Sequence, residues 1–201
     1  MSVSEILMSE HRVIEQVLGC LDKMADGAFE RQTLDTADAR DAIEFLRNFA
    51  DTCHHMKEED RLCPAMERCG IPRDAGPTAV MRHEHEIGRA HVRRMDEALT
   101  AHEKGDRDAL GRFAFEARGF TELLRDHIAK EDQVLFPMAE RMIPPPAMKE
   151  LLASFDHAQR HEIAPGTHEK FLGVAERLGA RYDVARTTQP DASACSCSHG
   201  G

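Results

Sequence analysis

The segment HHMKEEDRLCPAME (54–67) returns, without a gap, as HIAKEDQVLFPMAE (127–140). At this one offset His54 falls on His127, Lys57 on Lys130, Glu58 on Glu131, Leu62 on Leu135, Pro64 on Pro137 and Glu67 on Glu140. A second pair of segments repeats at an offset one residue longer: Leu7, Glu10, His11, Leu18 and Leu21 fall on Met81, Glu84, His85, Val92 and Met95. Self-similarity of this kind means that one supersecondary unit is used twice. Apolar residues in each copy recur at spacings of three and four, so the unit is a helical hairpin. Two hairpins with pseudo-two-fold symmetry make the chain all-α. The composition agrees, with plentiful Ala, Leu, Glu, Arg and Met, no Trp and only 5% aromatics.

Local signals place the elements. Residues 4–25 form an amphipathic helix whose buried stripe is Leu7, His11, Ile14, Leu18 and Leu21, with Asp26-Gly27 as its end. Thr36 or Asp38 caps a second helix that stops at Gly70, and Pro64 should bend or end its regular ladder. A third helix runs from about 78 to 104 with the stripe Met81, His85, Gly88, Val92, Met95 and Leu99. A fourth runs from about 108 to 142, with Pro137 inside it and Pro144 to Pro146 closing it; Phe120, Leu123, Leu124 and Val134 flank His127 on its inward face. One more helix, or two broken at Pro165-Gly166, covers about 147–183. The expected organisation is a bundle over 1–143, a helical extension over 144–184 packed on it, and a small, polar, disordered tail over 185–201.

Each hairpin contributes one lone His and then one His-x-x-x-Glu. On a helix, residues i and i+4 share a face, so His54 with Glu58 and His127 with Glu131 can each reach one site. The imidazole supplies a nitrogen to one ion, and the carboxylate can bridge two. This mixture suits iron or manganese, and di-metal sites in helical bundles are built from such residues on facing helices. Taken singly, a His in an apolar stripe is usually a hydrogen-bonded core residue, and one HxxxE is weak. Used twice in register, with His11 and His85 also placed in apolar stripes, they need a common explanation, because uncompensated His and Glu in a core are costly. The expected metal ligands are therefore His11, His54, Glu58, His85, His127 and Glu131. His55, Glu59, His83, His91 and Asp132 are further candidates, against the alternative of a solvated face or an indirect hydrogen bond.

The segments EHRVIEQVL, HHMKEEDRLCP, RHEHEIGRAHVRRM and HIAKEDQVLFPMAE resemble the hemerythrin-like, or HHE cation-binding, family. The resemblance covers about residues 4–180. It implies an up-down four-helix bundle around two Fe ions with an oxo or hydroxo bridge, in proteins that bind or sense O2, handle NO or peroxide, store or sense iron, or help repair iron–sulfur clusters. Oxygen carriers of this family use HxxxH on the third helix; here Arg89 follows His85 at i+4, which removes a fifth His and leaves coordination more open. They use HxxxxD on the fourth helix; here both Glu131 and Asp132 follow His127, and the register of the repeat favours Glu131.

The expected function is a non-haem di-iron protein that engages O2 or NO for sensing, storage or detoxification. The alternatives are a di-iron oxidoreductase (peroxidase, ferroxidase, NO reductase or iron–sulfur cluster repair) and an interaction module with a structural metal. The net charge of −10 and the absence of a Lys/Arg cluster argue against nucleic acid. Without a leader or an apolar run of membrane length, the expectation is a cytoplasmic monomer or homodimer with no membrane partner. The thiols at 20, 53, 63, 69, 195 and 197 are then expected to be reduced. Cys53 beside His54 can be read as redox-active or as packing; Cys195, Cys197 and His199 are metal-binding types on a tail with no fourth ligand; His157, His161 and His168 are expected as surface or packing residues, one of them able to cover the bundle mouth.

Overall fold

The computed structural model describes residues 1–187, and the tail residues Cys195, Cys197 and His199 lie outside them. The described chain is an all-helical bundle. Helix α1 is Val3–Glu30. Helix α2 (36–68) is one rod of four pieces: Thr36–Phe45, the π-helical stretches Leu46–His55 and Glu58–Leu62, and Cys63–Arg68. Helix α3 is Pro77–Glu103. Helix α4 (109–142) joins Ala109–Lys130, a π-helical Glu131–Leu135 and Phe136–Met142. Helices α5 (Pro145–His161) and α6 (Thr167–Tyr182) complete it, separated at Pro165 and at Gly166, whose φ is 79°.

Several ends differ from the sequence reading, each for a local reason. The first helix does not stop at Asp26-Gly27. It runs on to Glu30, burying Ala28, and the Gly27 carbonyl accepts from both Arg31 and Thr33. Asp35 caps α2 rather than Thr36 or Asp38: its carboxylate accepts from the Ala37 and Asp38 amides, both at 3.1 Å. The second and third helices close alike. Gly70 (φ 106°) and Gly105 (φ 92°) take the left-handed turn that lets Ile71 and Asp106 donate back to Met66 and Ala101.

Neither Pro64 nor Pro137 ends its helix. A proline removes one N–H and crowds the carbonyl four residues back. Here the preceding turn is widened: the Cys63 amide donates to the Glu58 carbonyl, and Phe136 to Glu131, five residues back in each case. These π-turns begin on the two repeated glutamates, and π-bulges of this kind recur at functional sites. They also shift the buried face by one residue. Val134, read as inward, is 50% exposed, and Leu135 is buried in its place.

The apolar core falls into two clusters. One gathers Ile14, Leu18, Phe45, Phe49, Val92, Phe113 and Leu124, and α6 adds Phe171 and Leu178. The other gathers Leu7, Leu62, Met81, Leu135 and Phe136, and α5 adds Leu151 and Phe155. Helix α6 is also tied to the start of α2, where Asp38 accepts from Tyr182 (3.0 Å) and pairs with Arg181 (2.7 Å). Between the two clusters each of α1 to α4 carries buried polar residues: His11, His54, Glu58, His85, His127 and Glu131. The buried polar layer inside the bundle is what requires a chemical account. Among the described residues no helix is long and apolar enough to cross a membrane.

Candidate metal centre

All six residues expected from the sequence are brought together, and His55 joins them. Two groups of donor atoms form. His11, His54, Glu58 and Glu131 make one; His55, Glu58, His85 and His127 make the other; within each, all donor atoms lie within 4.8 Å of one another. Glu58 belongs to both. Its carboxylate spans them, with Oε1 3.4 Å from His54 Nε2 and Oε2 3.6 Å from His85 Nε2. Glu131 does the same from the other side, 3.2 Å from both His11 Nε2 and His127 Nε2. Helix α3 has Arg89 one turn after His85, and the fifth histidine of the two donor groups, His55, comes from α2. His55 is buried and its ring stacks on His85 at 3.8 Å.

Every one of these rings is held by a carboxylate at its outer nitrogen. Nδ1 of His11 meets Asp132 (2.7 Å), His54 meets Glu10 (2.9 Å), His85 meets Glu59 (2.6 Å), His127 meets Glu84 (2.9 Å) and His55 meets Asp51 (3.3 Å). A carboxylate there accepts the Nδ1 proton and so turns the bare Nε2 inward, which is the usual support of a metal-binding imidazole. Four of the five supports obey the repeat, because Glu10 matches Glu84 and Glu59 matches Asp132. Asp132 therefore lies outside the inward set, as does Glu59. His83 is exposed and His91 pairs with Glu116 at 2.7 Å, so neither joins.

The inward atoms could hold a cation. Both oxygens of Glu58, both of Glu131 and His11 Nε2 are buried without any hydrogen-bond partner. His85 Nε2 and His127 Nε2 face each other at 2.9 Å, although both rings give their Nδ1 protons elsewhere. Ionisation conflicts in the same way. Burial, with Glu131 alongside, pushes the Glu58 carboxyl well above its ordinary range. Glu131 goes the other way: burial opposes its charge, but His127 and His11 hold it ionised. Burial drives His55 down to about 4 and, aided by His55 and His127, drives His85 down to about 3, so both are neutral bases ready to donate a lone pair. His11 is raised to about 9 against its burial, through its bonds to Asp132 and Glu131. A cation in the centre would remove the repulsion between the two carboxylates and satisfy the orphaned atoms together.

The outer supports are not equivalent in their surroundings. Glu10 is also bonded by Lys57, and Glu84 by Lys130, but Lys57 is 3% exposed and Lys130 is 42% exposed. Helix α6 approaches the Glu10 side, where His168 Nε2 lies 3.9 Å from Glu10 and its ring 5.2 Å from Phe49. Lys57→Met should therefore cost about 3 kcal/mol, because it strands a buried carboxylate. Lys130→Met should change stability by less than about 1 kcal/mol, as for an exposed pair. Urea denaturation of the two variants measures both values, and equal losses would contradict the asymmetry.

Glu10, Glu84, Lys57 and Lys130 were not singled out from the sequence as functional residues, although the repeat contains all four. Among the described residues Cys20, Cys53, Cys63 and Cys69 are free thiols, and burial pushes the Cys53 thiol up to about 11, as for a packing residue.

A family model for the hemerythrin HHE cation-binding domain matches residues 2–139. The chain belongs to the hemerythrin HHE cation-binding family. Its curated relatives include an uncharacterized protein of Mycobacterium tuberculosis and one of Mycobacterium bovis, each 25% identical over 191 residues, covering 92% of this chain and 72% of theirs. No solved structure matches. In this HHE-family chain the matched region contains all seven of the converging residues, and the helices beyond it, α5 and α6, pack onto both core clusters.

Proposed function

We propose that the chain is a non-haem di-iron protein that engages O2 or NO, for sensing, storage or detoxification. His11 and His54 with Glu58 and Glu131 would hold one ion. His55, His85 and His127 with Glu58 would hold the other. The observation that carries this reading is the shared carboxylate: Glu58 stands in both donor groups while both of its oxygens lack any other partner. Imidazole and carboxylate donors together suit iron or manganese. Iron so held supplies reversible one-electron chemistry and a coordination position for a small ligand. The protein's own part is to turn the Nε2 atoms inward, fix their rings through the outer carboxylates, and keep bulk water out between two apolar clusters.

The test is iron content followed by spectroscopy. Protein produced with iron should hold two irons per chain, one for each donor group. The anaerobically reduced protein should change its absorption stoichiometrically with added O2 and, separately, with NO. A content clearly below two excludes the paired site. Two irons with an unresponsive spectrum would leave a structural metal, and sustained turnover of peroxide, Fe(II) or NO would make the chain an oxidoreductase.

A further inference from the structure

The repeat fails at His55, and a cavity stands there. Beside His55, between α2 and α3, lies a space of about 240 Å³. Its apolar wall is Leu46, Ala50, Val92 and Phe120. On the opposite half of the bundle three of the matching positions carry larger or apolar side chains: Ile14 stands for Gly88, Leu123 for Ala50, and Ile128 for His55. Ile14 and Ile128 are buried there. Gly88 faces Phe120 across the space, where a Cβ would stand 3.4 Å from Phe120 Cε2 and a larger side chain would occupy it.

The size exceeds what a diatomic molecule requires, for an apolar cavity of roughly 150 Å³ already takes benzene. The charge at the rim narrows the choice. Arg47 is engaged by Asp96 at 2.7 Å, and Arg89 by Asp51 and Glu59, both at 2.8 Å. Arg89 and His55 between them also neutralise Asp51, the rim's one carboxylate. Arg93 lines the same cavity and is 64% exposed; its one acidic neighbour among the described residues, Glu97, is 3.9 Å away. One available cation thus borders an apolar space whose inner end is the His55 ring.

We propose that this cavity binds a small organic monocarboxylate, with its apolar body among Leu46, Ala50, Val92 and Phe120 and its carboxylate on Arg93. The bound molecule would lie against His55, at the edge of the centre. The proposal does not depend on which metal the centre holds, because the cavity and its rim are made by side chains outside the inward set, His55 excepted.

Benzoate and benzyl alcohol are the probes, titrated into the full chain as isolated and followed by calorimetry and NMR. Benzoate should bind saturably with one site, and benzyl alcohol about tenfold more weakly, as expected for loss of one charge-assisted contact. Arg93→Gln, at an exposed position that does not threaten folding, should weaken benzoate by about the same tenfold factor and leave benzyl alcohol unchanged. Gly88→Val, with its thermal midpoint measured as a control, should abolish binding of both. No benzoate binding, equal affinity for the two probes, or binding that survives both substitutions would each overturn the proposal.

Discussion

Stripping the metal from the centre should lower the thermal midpoint by tens of degrees. Each ion held at a free concentration a thousandfold above its dissociation constant stabilises the native state by about 4 kcal/mol. Two such ions give about 8 kcal/mol, which for a chain of this length is roughly 15–30 °C. The structural reason lies in what is left behind. Glu58 and Glu131 are fully buried, their four oxygens have no other partner, and one of the two must take up a proton to relieve the repulsion. Calorimetry before and after anaerobic chelation measures the shift, with iron content determined on the same samples. A midpoint that stays put while iron falls to zero would mean that the polar layer is stable without a cation, and the reading of the centre would fail.

The second large effect concerns the carboxylates. Glu131→Ala should bring iron content from two per chain to below one, and Glu58→Ala should do the same, because each carboxylate touches a histidine of both donor groups. Asp132→Ala is the contrast. It removes the support of His11 Nδ1 and the partner of Arg12 but no inward donor, so at saturating iron both ions should remain, with affinity reduced by about 10–100-fold. Competition against a chelator of known affinity resolves the two behaviours. If Asp132→Ala lost iron as completely as Glu131→Ala, the assignment of Glu131 to the inward set would be wrong. Circular dichroism on each variant separates loss of ligand from loss of fold.

Much of this candidate centre was legible because the converging residues are written twice in a chain with no other strong repeat. His54 and His127 have the same neighbours at the same spacings, and the apolar stripes around His11 and His85 make a buried polar group conspicuous. The helical periodicity and the breakers at Gly70 and Gly105 were equally local, and local signals survive folding because they depend only on backbone geometry and nearby side chains. The elements that were misplaced are those where the backbone departs from a regular helix or its expected end. Gly27 stays helical because its turn packs onto the chain returning at Thr33. Val134 turns outward because the wide turn that accommodates Pro137 moves the register by one residue.

The sequence by itself determined the helical hairpins, their two-fold repetition, and six residues that had to meet in one layer, since i, i+4 spacing and apolar stripes are properties of single helices. Only the tertiary structure decided that His55 joins them. On its own helix it is the residue after His54, a position that a regular helix turns well away from the inward face. Its place was set by two things that regular helical periodicity does not show: the π-helical widening of Leu46–His55 within α2, and the ring of His85 stacked against it from α3. The cavity at its side was likewise invisible in the sequence, because an empty space is defined by side chains from three helices that are distant in the chain.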